Sequence, residues 1–172
     1  QLGSFMRRFA DVFRLPPPLT RPHDLVPILQ GMSRLLAANG NARGITWNWE
    51  LQAPAMWADV DRGQFEQALV NILKNAIEAS PQPGGRVSVA TRRATDVVQV
   101  SVSDEGPGVP LDPEQMFRVF HSTKKGGTGL GLPTSRRIIG EHRGTITVHS
   151  EVGKGSDFVV TLPASPTWPP LS

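Results

Sequence analysis

The sequence contains no cysteine. Disulfides, thiolate metal sites and thiol nucleophiles are therefore excluded. It has no apolar run approaching the ~20 residues that a helix needs to cross a bilayer, and no signal-peptide pattern at its start. Internal repeats are absent too. Net charge is small: 18 Lys and Arg against 15 Asp and Glu give +3. That excess suits a polyanionic ligand such as a nucleotide, but ordinary surface charge accounts for it on its own, and it is too small to argue for nucleic acid. What is present is an ordinary hydrophobic content of 38% over 172 residues, enough for one compact domain with a proper core and short extras.

The first residues place Phe5, Met6, Phe9, Val12 and Phe13 at helical spacing, with Arg7, Arg8 and Asp11 opposite. Pro16, Pro17 and Pro18 then stop any helix, because they lack donors and clash with the preceding turn. A stripe with three phenylalanines needs a partner: residues 1–19 read as the end of a helical dimerisation element, then a stiff proline-rich linker, with a helix packed on its own domain as the alternative. Asp24 is placed to cap a helix to about Ala38, with Val26, Leu29, Met32, Leu35 and Leu36 inward. "ITWNWEL" alternates, with Ile45, Trp47, Trp49 and Leu51 on one face, and predicts a half-buried strand; "MWADV" predicts a short second one. Asp61 opens a long helix to about Ala79. "RVSVATRR" and "VVQVSVSD" predict a hairpin, and "GTITVHS" with "SDFVVTLP" a second. Between them lie a loop, "DEGPGVP", a short helix around Glu114 to Phe117, a glycine-rich run and a helix from about Leu130 to Glu141, with Pro133 in its first turn. The fold class expected is a two-layer α/β (α+β) sandwich: a mixed, mostly antiparallel sheet with helices on one face, over residues 20–163. Residues 164–172 read as a disordered, proline-rich tail.

Three stretches carry candidate chemistry. On the long helix, Gln64, Gln67, Asn71, Lys74, Asn75 and Glu78 form a polar stripe opposite a broad apolar arc. Carboxamides can ligate a hard cation without adding charge; a solvent face is the other reading. In "SDEGPGVP", Asp104 ends an alternating strand. Its carboxylate suits adenine, whose exocyclic amine donates, and opposes guanine; Gly106 and Gly108 would let backbone approach a flat ring. A tight turn is the plainer alternative. In "KKGGTGLGLP", backbone amides ahead of a helix N-terminus could cradle phosphate, with Lys124 and Lys125 adding charge, or the run could be a flexible linker. It is neither a Walker loop nor a dinucleotide fingerprint.

The order and spacing of these stretches resemble the ATP-binding catalytic domain of sensor histidine kinases, in the superfamily shared with DNA gyrase, the ninety-kilodalton heat-shock chaperone and the MutL proteins. "QALVNILKNAIEAS" is similar to that family's N box and "DEGPGVP" to its G1 box. "MFRVFHSTK" is similar to its F box, "GTGLGLP" to G2, and "GKGSDFVVTLP" to its final glycine motif. "FHSTKKGGTGLGL" and "RLPPPL" most resemble the nitrogen-regulation group of these kinases. The resemblance implies ATP and Mg²⁺ as ligands. Asp104 would bind the adenine amine, with Gly106 and Gly108 shaping the pocket and Ser156 standing where threonine is usual. Asn75 would hold Mg²⁺ and phosphate oxygens, helped by Asn71, and Lys74 would contact phosphate. Gly127, Thr128, Gly129, Leu130 and Gly131 would form a lid over the triphosphate, with Lys124 reaching its end. Phe117 and Phe120 would fasten that lid to the core. Arg118, Val119 and His121 depart from the F box, and Arg143 replaces the first glycine of the family's His-Gly-Gly.

In the hydrolysing relatives a glutamate four residues before the metal-binding asparagine activates water. Here that residue is Asn71, which cannot accept a proton usefully. The expected reaction is phosphoryl transfer to a histidine on a separate helical dimerisation domain, then to a response regulator. His23, His121, His142 and His149 read as structural or surface residues. The implied partners are the dimerisation domain, in a homodimer, and a response regulator, without nucleic acid or membrane contact by this domain; the implied location is cytoplasmic, in a parent that is either free or membrane-anchored. A hydrolysing ATPase and a non-catalytic nucleotide sensor are the competing readings.

Overall fold

The computed structural model describes residues 15–39, 44–51, 56–81, 84–108, 112–118 and 131–166. In chain order the elements are β1 (Arg21–Asp24), α1 (Leu25–Asn39), β2 (Thr46–Glu50), β3 (Trp57–Val60) and α2 (Arg62–Ala79). Then come β4 (Arg86–Arg93), β5 (Val97–Asp104), a 3-10 turn (Pro113–Phe117), α3 (Gly131–Glu141), β6 (Thr145–Glu151) and β7 (Gly155–Pro163). Residues 1–14, where the sequence predicts the end of an amphipathic helix, lie outside the described residues.

Five strands form one sheet in the order β2-β4-β5-β7-β6. Every neighbouring pair is antiparallel except β2 with β4, which is parallel because α2 crosses over between them. Strand alternation sets the two faces. On β5, Val98, Val100 and Val102 are buried, in register with Leu162, Val160 and Phe158 of β7. Gln99, Ser101 and Ser103, on the other face, are half-exposed. Among the described residues the helices cover the first face only, so the two-layer sandwich expected from the sequence is the fold observed.

α2 forms because its apolar residues recur at helical spacing and its start is capped. Phe65, Ala68, Leu69, Ile72, Leu73 and Ala76 are fully buried against the sheet. Burial contributes roughly 1.5–3 kcal/mol for each large side chain among them. Asp61 accepts the Gln64 N–H as N-cap, and Ser80 closes the other end by bonding back to Ala76. In α1, Asp24 accepts the Val26 N–H as expected. Leu35 does not point inward: it is 65% exposed, at the margin of a stripe centred on Leu25, Leu29 and Met32.

Three further details differ from the expectations or add to them. β1 was not foreseen; Arg21–Asp24 pairs antiparallel with β3 to form a separate two-stranded sheet, so "MWADV" does not join the main one. Trp47 and Trp49 share a face as the alternation implies, but at the edge of the sheet they stack on each other, 5.6 Å apart, and stay half-exposed. The first residues of the predicted tail are ordered. The Ser165 N–H donates to the Trp57 carbonyl at 2.8 Å and its hydroxyl to Asp59, so the chain past β7 is fastened to β3.

Candidate functional site

The inward row of β5 ends in a carboxylate. Asp104 follows Val98, Val100 and Val102 on the core face and is 6% exposed. Burying a carboxylate is costly unless hydrogen bonds compensate. Its Oδ1 accepts the Gly106 N–H at 2.8 Å and the Ser156 N–H at 3.3 Å. The Ser156 hydroxyl in turn lies 2.9 Å from that of Ser150. The side chain is thus oriented by backbone from its own loop and from β7. The loop that follows packs tightly. A Cβ on Gly106 would sit 2.5 Å from the Ala79 carbonyl, and one on Gly108 (φ +75) would strike the Glu151 backbone. Both glycines are required by the protein's own packing, which places this loop between the end of α2 and the β6–β7 turn.

The polar stripe of α2 divides by function. Gln64, 9% exposed, donates through Nε2 to the Pro16 carbonyl at 2.9 Å, so its amide is committed to the Leu15–Thr20 segment. Asn71 donates through Nδ2 to the Gly131 carbonyl at 3.1 Å, at the first residue of α3. Lys74 is exposed and Asn75 half-buried, one turn beyond Asn71 and on the same face. The stripe ends near Ala79, where Gly106 packs.

α3 is held along its length. Asn71 takes its first carbonyl, and the buried Ser135 hydroxyl donates to the Ala68 carbonyl at 2.9 Å. At its end His142, 4% exposed, lies with Nδ1 2.7 Å from the Ile138 carbonyl, while Nε2 accepts the Asp61 N–H at 3.0 Å. Those two bonds require a neutral ring with its proton on Nδ1. The Leu19 N–H on the Asp61 carboxylate holds that carboxyl below the ordinary range; burial opposes the shift and the Gln64 N–H adds to it. His23 lies half-buried on β1 and His149 is exposed on β6.

Arg136 was not singled out by its sequence, because an Arg-Arg pair on a helix reads as surface. It bonds Glu114 at 2.7 Å and the Ile146 carbonyl at 2.9 Å, and its guanidinium lies 3.7 Å above the Phe117 ring. Phe117 packs edge-on against Phe158. Arg136 therefore ties the 3-10 turn to α3, across the run that separates them in sequence. That run holds Lys124, Gly127, Thr128, Gly129 and Leu130, together with Val119, Phe120 and His121, and lies outside the described residues.

Asp104, Gly106, Gly108 and Ser156 are thus brought together at one end of α2, and Asn71 and Gly131 along its flank. Among the described residues no group of three or more His, Cys, Asp or Glu could hold a metal ion. The donor set on offer is carboxamide oxygen. It fits Mg²⁺ carried on a polyphosphate, because Mg²⁺ keeps water and phosphate oxygens and needs few protein ligands. Among the described residues no helix is long and apolar enough to cross a membrane.

Comparison with known proteins agrees with this arrangement. The chain is 39% identical over 145 residues to sporulation kinase C of Bacillus subtilis, covering 83% of this chain and 34% of that one. It therefore spans about a third of that relative's length. Among solved structures it resembles the nucleotide-free catalytic domain of histidine kinase ThkA, with a TM-score of 0.75, 29% identity, and coverage of 86% of this chain and 99% of that one. Full-length ShkA in complex with AMPPNP matches with a TM-score of 0.79 and 27% identity, over 95% of this chain and 35% of that one. Residues 60–166, more than half of the chain, match the family described as histidine kinase-, DNA gyrase B- and HSP90-like ATPase, and to that family this chain belongs.

Proposed function

We propose that this chain is the ATP-binding part of a sensor histidine kinase. It holds Mg-ATP and presents the terminal phosphoryl group to a histidine on a helical dimerisation domain, from which it passes to a response-regulator aspartate. The observation that carries this is Asp104, a buried carboxylate oriented by the Gly106 and Ser156 amides at the end of the α2 stripe. The AMPPNP bound by the ShkA relative supports the nucleotide.

In this reading Asp104 accepts the adenine amine, with Gly106, Gly108 and Ser156 forming the walls. Asn75 supplies the protein oxygen for Mg²⁺ and Lys74 charge for phosphate. Asn71 fixes the start of α3 and keeps its Oδ1 as an acceptor. Lys124, Gly127, Thr128, Gly129, Leu130 and Gly131 cover the triphosphate. Bound Mg²⁺ would neutralise phosphate charge. The histidine nitrogen attacks the γ-phosphorus in line, the bond to the β-γ bridging oxygen breaks, ADP leaves, and the imidazole loses its proton to solvent. Asn71 is an amide and its Nδ2 is committed to Gly131, so no general base stands there to activate water. We place the domain in the cytoplasm. The nitrogen-regulation grouping rests on "FHSTKKGGTGLGL" and "RLPPPL" alone.

The test is direct. The chain should bind ATP in a Mg²⁺-dependent way, release phosphate slowly, and label a histidine when a dimerisation domain is supplied. Rapid phosphate release by the chain alone would instead indicate an ATPase, and binding without any transfer a nucleotide sensor.

A further inference from the structure

Leu15–Thr20 reaches the domain along an ordered track. β1 lies antiparallel to β3 with Arg21 opposite Val60. The same alignment continues past the ladder: the Leu19 N–H donates to Asp61 Oδ2 at 3.0 Å, and Gln64 Nε2 donates to the Pro16 carbonyl at 2.9 Å. Pro17 and Pro18 lie between these two bonds, and their rings fix φ and offer no N–H. Leu19 carries the first N–H after three prolines, and it is spent on Asp61.

A run of prolines favours the stiff polyproline conformation. A stiff rod held at two points has a fixed direction. The surface that receives it is rigid as well. Asp61 caps α2 through Oδ1, and its N–H is bonded to His142 at the end of α3. The rod is therefore fixed to both helices that flank the candidate site. Leu19 is 82% exposed, so beyond Leu15, which packs half-buried on the core, the anchorage consists of two hydrogen bonds, one to the Asp61 carboxylate and one from the Gln64 carboxamide. It gives direction at little gain in stability.

We propose that Gln64 and Asp61 are positioning residues: they set the direction in which the Pro16–Pro18 rod leaves the domain, and so where the nucleotide's terminal phosphate faces relative to the acceptor. This rests on the reading that the acceptor histidine is joined through that segment.

The test uses the kinase that joins this chain to its dimerisation domain. Gln64→Met keeps the length of the side chain and removes the donor. Autophosphorylation kcat should fall by about tenfold, below the ~100-fold that a full ångström of misplacement can cost. KM for ATP and the ADP dissociation constant should stay the same, and amide exchange at Leu19 should accelerate. Replacing Pro17 and Pro18 together by glycine leaves Gln64 and Asp61 in place but removes the stiffness, and should lower kcat similarly. Unchanged or raised kcat in either variant overturns the positioning role, as does a KM that moves with kcat. Unchanged Leu19 exchange in Gln64→Met overturns the claim that the two bonds hold one stiff rod, since the Leu19 bond to Asp61 would then stand independently of Gln64. Failure of the underlying reading shows differently: the unsubstituted kinase would bind no ATP or label no histidine, and the proposal would fall with it.

Discussion

The buried carboxylate of Asp104 is the residue on which the nucleotide reading depends most. Its Oδ1 bonds to Gly106 and Ser156 set its orientation before any ligand arrives. Asp104→Asn replaces a charged acceptor by a neutral one, which also brings an NH₂ group. Loss of a charge-assisted hydrogen bond of this kind costs roughly 1.5–3 kcal/mol of ATP affinity. Calorimetric titration with ATP checks this, and an unchanged dissociation constant would remove Asp104 from the adenine pocket. Asp104 was legible in the sequence because it breaks an alternating valine run at the inward position. Asn71 was legible only as a polar residue among others. Its partner Gly131 lies 60 residues away, and no local pattern announces a side chain bonded across that distance.

At the level of elements, helices with a cap and a full apolar arc were readable to within a residue or two. α2 begins after Asp61 and ends before Ser80 because cap and pattern agree there. β1 was not readable: four residues containing a proline, half of them exposed, make no alternating pattern, and only β3 lying alongside makes them a strand. The end of α3 shows a local cost that the sequence did hint at. Arg143, standing where the family has glycine, adopts φ 61, the left-handed conformation that L side chains disfavour. Arg143→Gly should therefore raise stability by about 1 kcal/mol, partly offset by the extra freedom glycine gains when unfolded. The urea midpoint should move up; a lower midpoint would show that the Arg143 side chain stabilises the turn more than its backbone strains it.

On the scale of the whole molecule, Asp61 joins the Leu15–Thr20 segment, α2 and the end of α3. Asp61→Ala removes the cap and the Leu19 contact and should cost about 1 kcal/mol at neutral pH. The carboxyl is held below its ordinary value in the folded state by the Leu19 N–H. A depressed folded pKa means that the carboxylate's contribution is complete above the unfolded value, near 3.8, and is lost as pH falls through the lower folded value. The gap in urea midpoint between parent and variant should therefore hold from pH 7 to about pH 5 and narrow in stronger acid. A gap that is constant down to pH 2, or that widens, would contradict the assignment. None of this three-way junction was visible in sequence, since Leu19, Asp61 and His142 are far apart along the chain and each looks ordinary where it stands.

The strand order β2-β4-β5-β7-β6 also bears on how the protein is made. β7 lies between β5 and β6, yet it is the last of this sheet's five strands to leave the ribosome. Until it arrives, β5 is an edge strand, alternating valines with small polar residues and exposing a row of unpaired backbone groups, the kind of surface on which nascent chains associate. Ser156, which helps to orient Asp104, arrives on that same strand. The orientation of Asp104 and the protection of the sheet are therefore completed by one event, so a chain arrested before Gly155 would have neither.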